Sequence, residues 1–262
     1  MASRILAIAN QKGGVGKTTT AVNLATSLAA VGKTVLLIDL DPQGNASTGL
    51  GISRQNRVIS TYDLLFGGCT AKQAAVATRV PRLSIVPASV HLAGADIELV
   101  TAESREFRLR EALRSGTEDF DYVLIDCPPS LSLITLNALV AAHAVLVPLQ
   151  CEFFALEGLS QLVRTIDRVR DTFNPELEIQ GVVLTMFDKR NNLSQQVADD
   201  VRAFFGPKVY TTLIPRNVRV SEAPSHGLPA IIYDMRCPGS QAYIQLAKEM
   251  LKRERNVEQA AA

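Results

Sequence analysis

Two lysines, three glycines and two threonines fall within eight consecutive residues: Lys12, Gly13, Gly14, Val15, Gly16, Lys17, Thr18 and Thr19. Glycines let a backbone close around phosphate oxygens with its N–H groups pointing inward. A lysine at this spacing reaches terminal phosphates, and a threonine hydroxyl is a hard oxygen donor of the kind Mg2+ prefers. The chemistry implied is capture of a nucleoside polyphosphate, with Lys17 on the β and γ phosphates and Thr18 on Mg2+. The order departs from the common pattern G-x-x-x-x-G-K-S/T, because Gln11 stands where the first glycine belongs and a second lysine, Lys12, follows it. One more cation than a lone nucleotide needs points to charge neutralisation across an interface between two chains.

Carboxylates stand at the ends of two apolar runs. Residues 35–38 lead into Asp39, Leu40 and Asp41, and residues 122–125 lead into Asp126. Asp39 and Asp41 alternate, so both can face one side of an extended strand. Asp126, after four apolar residues, is placed to hold Mg2+ through a water ligand.

Those residues need strands that end at one crevice and a helix that begins at Lys17. Apolar runs at 5–9, 35–38, 83–86, 122–125, 144–148 and 179–185 are each followed by a helix-length stretch. Most are apolar at every position, as in parallel strands covered on both faces. The fold class expected is α/β: a three-layer, doubly wound, mostly parallel sheet with helices on both faces. End signals and periodicity place helices at 17–31, 156–173, 192–205 and 240–254, with one short helix near 59–66 in a Gly-, Ser- and Thr-rich stretch from 44 to 82. A single domain over 1–262 is expected, with its core at about 3–251 and a frayed tail at 252–262.

The run K-G-G-x-G-K-S/T-T at residues 12–19 resembles the mark of the ParA/MinD family of deviant Walker A P-loop ATPases. The likeness continues through Leu149-Gln150-Cys151-Glu152-Phe153-Phe154, Leu184-Thr185-Met186-Phe187-Asp188 and Ile214-Pro215-Arg216-Asn217-Val218-Arg219. These segments look like the partition branch, ParA or Soj. The resemblance implies an ATPase whose substrate is ATP with Mg2+ and whose ATP-bound form is a homodimer. Lys12, Lys17 and Asp41 would serve hydrolysis, with Asp41 orienting the water, and Pro215 and Asn217 would contact adenine. It further implies nonspecific binding of double-stranded DNA through Arg190 and Arg219, with Lys189 and Arg216 as neighbours. A ParB-type partner would stimulate hydrolysis, and the protein would be cytoplasmic and nucleoid-associated.

Composition bounds the alternatives. A formal net charge of +1 argues against a strongly basic nucleic-acid binder but leaves room for a local patch. No apolar run reaches the roughly 18 residues of a membrane span, and the polar end of the chain lacks the bulky apolar face of a MinD-like membrane anchor, the rival reading. Cys69, Cys127, Cys151 and Cys237 form no C-x-x-C pair, so neither a disulfide framework nor a zinc or iron–sulfur site is expected.

Overall fold

The computed structural model describes residues 3–261. Seven strands, β1 (Arg4–Ile8), β2 (Val35–Asp39), β3 (Val76–Ala77), β4 (Leu83–Val86), β5 (Tyr122–Asp126), β6 (Ala144–Gln150) and β7 (Glu178–Thr185), lie in the order β3-β4-β2-β5-β1-β6-β7. All pairings are parallel except β3 with β4. Alternate residues of each strand bury into opposite cores: Ala7, Leu36, Ile38, Val123 and Ile125 into one, Leu6, Ile8, Val35, Leu37 and Leu124 into the other. Burial on both faces is why these strands are apolar throughout.

Helices Lys17–Ala30 and Pro238–Ala261 cover one face through Leu24, Leu28, Tyr243 and Leu246. Helices Leu92–Val100, Leu133–Ala141, Ala155–Thr172 and Asn192–Phe205 cover the other through Leu99, Ala138, Leu162 and Val201. The result is the three-layer, doubly wound architecture expected. The chain leaves β1 toward β2 on one side, whereas β5 is followed by β6 on the far side of β1. That reversal opens a crevice at the carboxyl end of β1, where open parallel sheets place ligands.

Residues 44–82 hold more structure than the single short helix expected: helices Asn45–Gly49, Thr61–Leu65 and Ala71–Ala74 and the edge strand β3. Pieces of two to five residues show no periodicity, so only their caps betray them. Ser60 and Thr70 each form a reciprocal capping box, with Asp63 and Gln73. The last helix continues to Ala261, past Lys252 where fraying is expected. Tertiary contacts hold it as far as Glu254, since Arg253 donates to the carbonyls of Pro207 and Val209 (both 2.8 Å) and Glu254 accepts from Gln180 (2.9 Å).

Candidate nucleotide site

The loop between β1 and the helix at Lys17 closes in a shape that two of its glycines permit. Gly14 and Gly16 have φ of 75° and 87°, in the left-handed region closed to most side chains. Gly13 is not so constrained, and a Cβ there or at Gly14 would meet nothing within 4 Å, so both face open space beside the loop. Asn10 holds the loop's entry, accepting from the Lys12 N–H (3.0 Å) and donating to the Pro148 carbonyl (2.8 Å). Thr185 holds its far side, donating to the Val15 carbonyl at 2.8 Å. The helix that follows has no side-chain cap and no acidic residue in its first turn. Its N–H groups and the positive end of its dipole are therefore left to an external anion.

Beneath the loop lie charges that the fold does not neutralise. Lys17 is only 7% exposed and its Nζ donates to the Lys12 carbonyl at 2.9 Å. Burial pulls its pKa down, opposed chiefly by Asp126. Asp39 and Asp126 are register partners on β2 and β5, both fully buried. Neither oxygen of Asp126 has a hydrogen-bond partner among the described residues. Burial, then the neighbouring Asp39, pushes its carboxyl well above the usual range, while the Thr18 hydroxyl and Lys17 pull the other way. Asp39 is pushed up to about 6 by burial, although the Ser47 hydroxyl (2.6 Å) and N–H (2.8 Å) donate to it.

Other candidates occupy the rim. Asp41 accepts from the Gln43 N–H at 2.9 Å through Oδ1, as a turn carboxylate. Lys12 pairs with Glu152 at 2.7 Å, a partner 140 residues away that sequence reasoning missed, and the Gln150 amide donates to the same carboxylate. Parallel pairing of β6 with β1 brings Glu152 there. Met186 takes a left-handed φ of 49° at the end of β7, and its Cε would lie 3.8 Å from a Cβ built on Gly16.

The loop after β7 meets the 214–217 loop through a bridge between Phe187 and Pro215. Asn217 caps helix Val218–Glu222, its Oδ1 accepting from the Val220 N–H at 3.2 Å, so its amide Nδ2 is the part left for a ligand. Arg190 and Arg219 stand on these two adjoining segments, both exposed and each paired with carboxylates. A cavity of about 280 Å³ beside Thr18 and Thr19 is lined by Asn23, Asn45, Thr48, Pro224 and Leu228, and not by Pro215 or Asn217. A larger groove of about 500 Å³ lies elsewhere, between helices Ala155–Thr172 and Asn192–Phe205, and no candidate residue lines it.

The chain is similar to known proteins. A family model described as an AAA domain matches residues 3–179. The chain is 62% identical over 261 residues to the chromosome partitioning protein ParA of Caulobacter vibrioides, covering 99% of this chain and 98% of that protein. It is 54% identical over 247 residues to the sporulation initiation inhibitor protein Soj of Bacillus subtilis, covering 94% and 98%. Among solved structures it is similar to cobyrinic acid a,c-diamide synthase from Mycobacterium smegmatis with bound ATP analog and magnesium. The TM-score is 0.85 at 38% identity, over 97% of this chain and 96% of that one. With a phosphate-shaped loop at the switch point of a doubly wound sheet, and full-length identity of this order, the chain belongs to the ParA/Soj family of partitioning ATPases.

Proposed function

We propose that the chain is an ATP-driven switch for DNA segregation. It binds Mg·ATP on Lys12, Gly13, Gly14, Val15, Gly16, Lys17, Thr18 and Thr19, closes as a homodimer, holds double-stranded DNA without sequence preference and releases it on hydrolysis. One observation carries the reading: an uncapped helix N-terminus and a buried lysine stand beside Asp126, a buried carboxylate with no hydrogen-bond partner among the described residues. The first two ask for a polyanion and the third for a cation. Hard oxygen donors, Thr18 directly and Asp126 through water, fit Mg2+, which keeps waters and substrate phosphates among its ligands. Bound there, Mg2+ would offset phosphate charge.

The chain's own residues do the rest. Lys17 and the loop N–H groups stabilise charge on the transferred phosphoryl group. Asp41, free to exchange its Gln43 contact, orients the attacking water. Lys12 leaves Glu152 for the partner's phosphates, and Pro215 with the Asn217 amide contacts adenine. Hydrolysis is slow until a ParB-type partner stimulates it, and the ATP dimer sits on the nucleoid in the cytoplasm. Arg190 and Arg219 contact DNA phosphates, which needs charge and no base readout.

The partition name of the C. vibrioides relative supports this reading, and the magnesium and ATP analog of the M. smegmatis structure support the ligand. That structure's synthase name favours a second reading, ATP-driven amide formation. DNA binding separates the two, measured with ATP, with ADP and without nucleotide for wild type, Arg190→Ala and Arg219→Ala. Binding that requires ATP, falls steeply with salt and weakens in both variants is expected. Equal binding in all nucleotide states would refute the switch.

A further inference from the structure

Both arginines assigned to DNA phosphate already hold an anion. Arg190, its side chain 90% exposed, grips Asp188 with two prongs, Nε to Oδ1 and Nη2 to Oδ2, each at 3.1 Å. Arg219 donates from Nη1 to Glu222 at 3.1 Å, and its Nε lies 3.7 Å from Asp234. The two pairs stand on adjoining segments, since Arg216 N–H donates to the Phe187 carbonyl at 3.3 Å beside the Phe187–Pro215 bridge. A guanidinium fork matches carboxylate and phosphate with the same planar geometry, so one fork cannot serve both fully.

We infer that Asp188, and Glu222 with Asp234, compete with nucleic-acid phosphate for Arg190 and Arg219 and thereby set the affinity of the DNA surface. The inference rests on the DNA reading proposed above and adds the residues that restrain it. Each exposed pair weakens binding by about 1.5- to five-fold, the range of exposed ion pairs. Compounded over the pairs of two chains, these factors multiply, to more than roughly ten-fold where each is about two-fold. A single chain would then hold DNA poorly although its cations face solvent, and binding would depend on joining two surfaces. The nearly neutral net charge of +1 adds no general attraction to overcome the restraint.

Fluorescence anisotropy of a labelled duplex of mixed sequence tests this on the full chain, with ATP and without nucleotide, at low and physiological salt. Asp188→Asn keeps the Oδ1 that accepts the Arg190 N–H at 3.0 Å and loses the charge. It and the double variant Glu222→Gln/Asp234→Asn should each tighten binding about 1.5- to five-fold for each chain engaged, a gain that misfolding does not produce. The gain should vanish in Asp188→Asn/Arg190→Ala. Unchanged affinity in Asp188→Asn, where Arg190→Ala loses binding, overturns the inference and leaves the DNA reading standing. A gain that survives Arg190→Ala also overturns it, because net charge alone would then be responsible. Wild-type affinity in both Arg190→Ala and Arg219→Ala overturns the DNA surface itself, and the inference with it.

Discussion

Lys12 and Lys17 stand five residues apart on one loop, yet the fold treats them differently. Lys17 is 7% exposed, fixed to the Lys12 carbonyl and set beside Asp126. Lys12 has a side chain 40% exposed and holds Glu152, itself 46% exposed. A buried charge must be answered by the fold or a ligand, whereas an exposed one exchanges partners freely. A single chain therefore builds the floor of the nucleotide site and leaves its rim open to exchange. The largest expected effect follows from the floor. Lys17→Ala removes a charged hydrogen bond worth about 1.5–3 kcal/mol and should weaken ATP binding roughly 10- to 100-fold by calorimetry. Lys12→Ala should weaken binding to the single chain only a few-fold while abolishing ATP-dependent dimers in sedimentation. Equal losses of ATP affinity would erase the distinction.

The floor also costs stability in a way the rim does not. Asp39, its carboxyl pushed up to about 6 from 3.8, takes up a proton on folding wherever the pH lies between those values. The native state then binds more protons than the unfolded one, so stability falls as pH rises from about 4 to about 6, and Asp126, its carboxyl pushed well above the usual range, extends the decline beyond. Asp39 supplies part of that loss, and Asp126, buried beside it, the rest. Urea unfolding of nucleotide-free protein between those pH values should show the decline, and Asp39→Asn should make it shallower. An equally steep decline in Asp39→Asn would mean that its burial does not set the floor's cost.

How far each region was legible in the sequence follows the same division. The floor is nearly all local: residues 12–19 are consecutive, and Asp39 and Asp126 announce themselves as carboxylates ending apolar runs. Their register pairing, which sets Asp39 where it raises the Asp126 carboxyl, depends on β2 and β5 being neighbours, and no spacing encodes that. The rim was legible in part. Lys12 stood out as a departure from pattern, but Glu152 reaches it only because β6 lies against β1. Thr185 clamps the loop from 170 residues away, and a threonine ending an apolar strand carries no mark of that task. Asp188 is two residues from Arg190, close enough to be read, yet an acid beside a base in a loop is too ordinary to single out. Of the three helices within 45–74, Thr61–Leu65 falls in the stretch expected to be helical, and the other two were hidden by their length.

The smallest effects separate clamp from rim. Thr185→Val deletes a buried hydroxyl's bond to the Val15 carbonyl and leaves that acceptor without its donor, a loss of about 1 kcal/mol or more. Because the clamp shapes the phosphate loop, ATP affinity should fall with it by several-fold. Glu152→Gln deletes the Lys12 ion pair, whose two side chains keep much of their contact with water, and should cost under about 1 kcal/mol. Chemical denaturation of the single variants and of Lys12→Ala/Glu152→Gln would give the pair's coupling energy directly. A coupling above the loss in Thr185→Val would make Lys12 part of the built floor, and its expected transfer to a second chain would then have to break a contact the fold depends on.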